Sequence, residues 1–531
     1  MRRSDLTARQ REVVDSEQRS LLVTGGAGSG KTTVALWAAR AELERPSNFG
    51  RRALFLTFSR TAVDQIAERS QSAVTPVRDR IEIATFHSFA FRLIRQFGPA
   101  LGLVDDDPRV QSAAQAKLLG RSSARLAYDD LAPLALKILD HPRMQTLVSR
   151  RWCMVICDEF QDTGDQQWQI LERLKRYARL LLLGDENQLI YGFLAHSGVG
   201  LDRIRNADRE VDEVIELESV SHRDPSGSVP ALATAVRQRQ FGAPSVLQAL
   251  REERLHVRRG VRDEDLMTAV REGLDAAWSR GSRTFGLFAH TNQGVADLSA
   301  RLTDERIDHH LVGLPDAEAA ALEAMLGITG FSFDQGDWVG VQTMLATYLT
   351  ACTRGKTPPL ARTLASGGVL PPVLARRFEA LQESAKLAVS VADAAAVAAT
   401  AWDGLGISVG QAPWARASPS FLSIVRRAAG GDDPLAVVSK AVEELRTRAL
   451  FESGRRRPSS VQLMNLHQTK GREADAVLVL CRDDDFHGYE DEPFVEASRL
   501  LYVVLTRARR EVTMIFGNDP HPLVAPLAEL A

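Results

Sequence analysis

The stretch Gly25-Gly26-Ala27-Gly28-Ser29-Gly30-Lys31-Thr32-Thr33 limits what this chain can fold into more than any other. The apolar run before it, Leu21 to Val23, has the length and flanks of a buried strand. After it, Val34, Leu36, Trp37 and Ala38 supply the apolar faces of a helix. A glycine, four residues and Gly30-Lys31-Thr32 between strand and helix make the phosphate-binding P-loop pattern. The physics requires this order. Glycines let the backbone turn its N–H groups inward around a polyphosphate, and the next helix points its positive end at the same place. The Lys31 ammonium is expected between the β- and γ-phosphates and the Thr32 hydroxyl on Mg²⁺. A glycine-rich turn that binds nothing is the competing reading, and the flanking strand and helix weigh against it. A nucleoside triphosphate is therefore the first expectation.

At 531 residues the chain should form several compact units. A net charge of −2 does not exclude nucleic acid, because a basic groove can be offset elsewhere. The start, MRRSDLTARQ, lacks the apolar stretch of a signal peptide, and no run of about 18 apolar residues occurs. A cytoplasmic protein with no membrane contact is expected. Cys153, Cys157, Cys352 and Cys481 read as small core residues, not as a metal site.

Ahead of the P-loop, Thr7 suits a helix N-cap, and the Gln10 amide has the donor and acceptor needed to read the edge of adenine. The strand Ala53 to Phe58 runs into Ser59-Arg60, and the strand Ile81 to Thr85 into Phe86-His87-Ser88-Phe89. Such ends fit phosphate contacts and base stacking by Phe58. Core packing of Phe58 and Phe86, with the hydroxyls as helix caps, stays open as the blander alternative. The buried strand Trp152 to Cys157 ends in Asp158-Glu159-Phe160-Gln161-Asp162, where α/β folds place their chemistry. Asp158 suits the Mg²⁺ shell and Glu159 a base that orients the attacking water. The strand Leu180 to Leu183 leads to Gln188, Tyr191 and Phe193, a loop that could touch γ-phosphate at one end and bases at the other. A polar loop with two anchoring aromatics is the alternative there. A second α/β pattern begins near Val214 and passes Ser221-His222-Arg223. An alanine-rich helical stretch interrupts it, and it returns with His467-Gln468-Thr469-Lys470-Gly471-Arg472-Glu473. A helix over Ser498 to Arg510 carries Arg507 late in its length, a usually solvated place. As a γ-phosphate donor, Arg507 would meet the charge that spreads in the transition state.

The ordered set LTARQ, GGAGSGKTT, LTFSRTAVDQI, TFHSF, ICDEFQDT, LLGDENQLIYGF, ESVSHRDP, NLHQTKGREADAV and LLYVVLTRAR resembles the superfamily 1 DNA helicases of the UvrD/Rep/PcrA type. The resemblance implies an α/β fold of two RecA-like P-loop lobes, parallel sheets flanked by helices, with small helical insertions. Residues 1–97 and 127–213 would form the first lobe, 98–126 a reduced insertion, 214–324 and 456–531 the second lobe, and 325–455 a helical insertion. It also implies ATP in the cleft with Mg²⁺, single-stranded DNA or a 3′-tailed duplex across the crest, and 3′-to-5′ movement in repair, recombination or phage defence. Residue by residue, Gln10 would read adenine, and Gly25 to Thr33 with Lys31 would cradle the phosphates. Thr32 and Asp158 would hold Mg²⁺, Glu159 would be the base and Gln188 the γ-phosphate sensor. Arg223 and Arg507 would be arginine fingers, and Glu473 would lie near the ribose or γ-phosphate. Phe58, Tyr191 and Phe193 would stack on bases, with Arg60, His87, His467 and Lys470 along the strand.

The chain departs from the family in three places. His222 stands where a tyrosine usually stacks on adenine, Thr33 stands where an arginine is usual, and the insertions are small. The small insertions and the missing tyrosine support an alternative: an ATP- and DNA-sensing switch subunit of a nuclease complex, similar to the lean helicase-like subunit of Gabija anti-phage systems, with weak unwinding of its own.

Overall fold

The computed structural model describes residues 3–58, 63, 66, 74–189, 206, 209–218, 224, 226–312, 316–353, 357–429, 433–451, 460–486 and 490–530. Two compact units emerge. One comprises Met1–Phe89, Leu136–Val312 and Arg455–Ala531, the other Ala90–Ala135 and Gly313–Gly454.

The first unit holds two six-stranded sheets, every pairing in them parallel. The strands of the first sheet are β1 (Ser20–Thr24), β2 (Arg52–Thr57) and β3 (Ile81–Thr85), then β6 (Trp152–Cys157), β7 (Arg179–Gly184) and β8 (Glu213–Glu216). The short β4 (Arg109–Val110) and β5 (Arg125–Leu126) pair with each other, in the other unit. The order across the first sheet is β3-β2-β6-β7-β1-β8. Leu21, Leu22 and Val23 are buried without alternation, as are Leu54, Phe55 and Leu56. A parallel sheet covered on both faces needs such runs. The helix Lys31–Glu44 covers the sheet with Val34, Leu36 and Ala38, all fully buried.

The second sheet runs β11 (His309–Leu311), β12 (Val461–Asn465), β10 (Phe285–Ala289), β13 (Ala474–Cys481), β14 (Ala508–Phe516), β9 (Leu255–Arg258). Leu287 of β10 lies between Leu463 of β12 and Leu478 of β13. Two features correct the sequence reading. The strand at Val214, expected to open the second lobe, is β8 at the edge of the first sheet, with Val214 beside Leu22. The second sheet is instead edged by β9, whose sequence Leu-His-Val-Arg gives no strand signal and which pairs with Val512 to Ile515. Short edge strands carry too few apolar residues to declare which sheet they join.

The second unit is mainly helical. The helices Asp316–Phe331, Trp338–Cys352, Val391–Leu405 and Gln411–Ala428 close around Tyr348, Trp402 and Trp414. The Tyr348 and Trp402 ring centres are 4.6 Å apart and the two tryptophans 5.4 Å apart. The Trp402 indole N–H donates to the Val409 carbonyl at 2.8 Å and that of Trp414 to Ala399 at 3.0 Å, so neither buried donor is wasted. The helix Ala113–Leu119 lays Leu118 on this core, and Gln115 donates to Glu323 at 2.8 Å. Residues 98–126 and 325–455, read from the sequence as separate insertions, thus contribute to one unit. No described helix is long and apolar enough to cross a membrane.

Candidate nucleotide and nucleic-acid site

The P-loop begins where β1 ends. Gly28 and Gly30 have φ of 84° and 89°, the left-handed region where a side chain would be strained, and Gly30 caps the helix that starts at Lys31. The Lys31 ammonium donates to the carbonyls of Gly25 at 2.5 Å and Gly26 at 3.0 Å, and lies 3.8 Å from the Asp185 carboxylate. Thr32 and Thr33 are half-buried in the first turn of that helix. Gln10 is buried. Its side-chain oxygen accepts from Thr7 N–H at 3.0 Å, completing the capping box of the helix Ala8–Asp15. Its amide donates to the Ser29 carbonyl at 3.1 Å. The residue assigned to adenine therefore also ties the first helix to the P-loop.

Past the end of β6, the Asp158 carboxylate accepts from the Glu159 N–H at 3.0 Å. Glu159 has φ of 56°, a strained backbone for a residue with a side chain and one often found at functional sites. Its carboxylate accepts from Gln161 at 2.5 Å and faces the Lys470 ammonium at 3.5 Å. Burial pushes the Glu159 carboxyl up, but the charges of Lys470, Lys31 and Arg507 more than offset it and hold it below the usual range. Burial raises Asp162 to about 6, against the pull of its ion-pair partner Lys470.

The second lobe completes the cluster. Gln188 donates to Asp185 at 2.6 Å and accepts from the Arg507 guanidinium at 3.1 Å. Arg507 is only 1% exposed. It lies past its helix, Val495–Leu505, in the turn before β14, and its Nε donates to the Val503 carbonyl at 2.8 Å. The helix expected through Arg510 ends early because the chain must turn here to start a buried strand. Lys470 calls for a correction. Expected along the strand, its ammonium is instead buried, bonded to Asp162 and, at 2.9 Å, to the Gln188 carbonyl. The carboxylates of Glu159 and Asp162 offset the cost of desolvating it.

Sequence reasoning missed Gln161, Asp162, Asp185 and Tyr502. The first three sit at the carboxyl ends of β6 and β7, a position that could have flagged them. Tyr502, whose hydroxyl accepts from the Ala27 N–H at 3.5 Å, sits in an apolar helix and reads as core. Glu473 is paired with Arg509 at 3.1 Å.

Of the residues assigned to nucleic acid, Phe58 is half-buried, its ring centre 5.2 Å from that of the buried Phe86. His87 is half-buried at the start of the helix Phe86–Phe97. His467 is half-buried too, and burial lowers its imidazole below the ordinary value. Arg60, Tyr191, Phe193, His222 and Arg223 lie outside the described residues.

Among the described residues no cluster of three or more His, Cys, Asp or Glu side chains could hold a metal by itself. One hydroxyl, Thr32, and one carboxylate, Asp158, still suit a hard ion that keeps waters and takes phosphate oxygens as further ligands.

Residues 10–194 match the family described as AAA domain, and residues 427–519 match the UvrD-like helicase C-terminal domain. The ATP-dependent DNA helicase PcrA of Bacillus subtilis (strain 168) is 25% identical over 345 residues, covering 53% of this chain and 44% of that one. The chain belongs to the UvrD/PcrA-type superfamily 1 helicases. Another relative in this family, PcrA of Leuconostoc citreum, is 24% identical over 263 residues, 38% of this chain and 35% of that one. The RecBCD enzyme subunit RecB of Mycobacterium tuberculosis (strain ATCC 25618 / H37Rv) is 32% identical over 172 residues, 28% of this chain and 15% of that one. The chain spans less than half the length of these curated relatives.

Proposed function

We propose that this chain is an ATP-dependent DNA helicase and single-stranded DNA translocase moving 3′ to 5′ in the cytoplasm. The observation that carries the reading is the bond from Arg507 of the second lobe to Gln188 of the first, beside Glu159 and Lys31. A charge-spreading γ-phosphoryl group needs such convergence of cations and an ionised base. Lys31 would bind the β- and γ-phosphates, Glu159 would orient and deprotonate the attacking water, and Gln10 would read adenine. Arg507, with Arg223, would donate to the γ-phosphate only while the lobes are together. Loss of that shared anion would then part the lobes and shift their grip on the strand. The grip would use Phe58, Arg60, His87, Tyr191, Phe193 and His467. Thr32 and Asp158 would hold Mg²⁺, which when bound neutralises charge on the phosphate oxygens.

The test is ATP hydrolysis with single-stranded DNA, single-stranded RNA or duplex, followed by displacement from 3′- and 5′-tailed duplexes. Stimulation by single-stranded DNA and displacement from the 3′ tail are expected. Absence of stimulation at every salt concentration overturns the reading.

The match to RecB, itself named as a subunit, supports a second reading in which a protein partner such as a nuclease completes the activity. Efficient displacement of a 3′-tailed duplex by the chain alone would argue against it.

A further inference from the structure

A cavity of about 260 Å³ lies beside the P-loop cluster, lined by Asn187, Thr234, Arg237, Gln238 and Tyr502. No role above uses it. Tyr502 joins it to the P-loop through the Ala27 N–H. Arg237 ends the helix Ser228–Arg237 and donates from Nη1 to the Ser498 hydroxyl at 2.9 Å. Its Nε is buried and makes no hydrogen bond among the described residues. Arg499 is close enough to repel it, and the acid that attracts it is Glu490. Glu490 already uses both carboxylate oxygens, accepting from the N–H groups of Glu496 and Ala497 at 2.9 to 3.0 Å. The carbonyls at the end of the Arg237 helix are taken as well, by the N–H groups of Gln238, Arg239 and Gln240. What remains is a pocket with amide and hydroxyl groups around one guanidinium, whose Nε has no partner among the described residues.

We propose that this pocket is a second phosphate-binding site, centred on Arg237 and separate from the Lys31 loop. An arginine fork matches phosphate oxygens, and the surrounding polar groups match a ligand with several acceptors. The phosphate group has two sources, free inorganic phosphate or a phosphodiester of a nucleic-acid strand. Any link to hydrolysis rests on the function proposed above; phosphate binding itself does not.

The test uses the full chain with its P-loop filled by ADP and Mg²⁺. Inorganic phosphate is titrated by calorimetry, and oligothymidylate binding is followed across a salt series. Two variants are compared: Arg237→Gln, and Thr234→Asp at the exposed rim. Unchanged ADP affinity shows that each variant is folded. Free phosphate as the ligand predicts that both variants weaken phosphate binding roughly tenfold or more, the loss of one charge-assisted bond. A strand phosphodiester predicts unchanged phosphate binding, with the log–log salt slope for oligothymidylate falling by about 0.7 per lost contact. Either result supports the site. Phosphate and oligothymidylate binding that both ignore the two substitutions overturns it, whether or not ADP binds. If Arg237→Gln does not fold, Thr234→Asp decides alone.

Discussion

Arg507 donates its guanidinium N–H to the side-chain oxygen of Gln188 at 3.1 Å, joining the turn before β14 to the tip of β7. The bond places a cation from one lobe on the proposed sensor of the other. Arg507→Ala should lower the kcat of DNA-stimulated ATP hydrolysis about 10³-fold with a much smaller effect on KM, as expected for a finger that acts in the transition state. Gln188→Ala should cost less, and the double variant should cost less than the sum in free energy, because the residues act as a pair. Steady-state phosphate release by the four proteins measures this; additive effects would show that the bond does not transmit.

Lys31→Ala should reduce hydrolysis by at least about 10²-fold, the usual loss when a preorganised charge facing the reacting group is removed. Its thermal midpoint should hold close to the parent, since among the described residues the Lys31 ammonium bonds two loop carbonyls, lies 3.8 Å from Asp185 and acts on Glu159 through its charge alone, beside Lys470 and Arg507. Phosphate release and a thermal melt measured together separate a lost contact from a lost fold.

Lys470 stands between two carboxylates, Glu159 and Asp162, in a buried place. Lys470→Met removes the cation that the two carboxylates share and should destabilise the first unit by roughly 3–5 kcal/mol. Adding Asp162→Asn removes one of the stranded charges and should recover part of the loss. Denaturant melts of both variants test this. No recovery in the double variant would show that packing, not charge, sets the cost.

Glu511 should contribute to acid stability in the second lobe. Burial pushes its carboxyl up, but the His256 imidazole 3.3 Å away and the bonds from Ser282 and Arg280 outweigh that and bring it to about 2. An unfolded glutamate titrates near 4.3, so the contribution is fully present above that value and is lost as pH falls through about 2. The thermal midpoint of the parent should therefore decline across this window more steeply than that of Glu511→Gln. Equal slopes would locate the acid sensitivity elsewhere.

Much of this was legible in the residues. The runs Leu21 to Val23 and Trp152 to Cys157 declare buried parallel strands, because no polar residue interrupts them. Thr7 caps its helix as its hydroxyl suggests. The Val214 strand was assigned to the wrong sheet and β9 escaped notice, since an edge strand of four residues gains its identity only from the neighbour it pairs with. Lys470 was expected along the nucleic-acid strand for a similar reason: a lysine in a polar run has no sequence mark of the carboxylates that will surround it.

Sequence alone determined the P-loop, the acids that end β6 and the apolar strands that carry them, because these depend on neighbours in the chain. Tertiary structure decided which sheet β8 edges, that Lys470 turns inward to Glu159 and Asp162, and that Tyr502 and Arg507 reach the first lobe. Those outcomes join residues hundreds of positions apart. A bond between such groups is set by how whole elements pack, and no local pattern of residues encodes that distance.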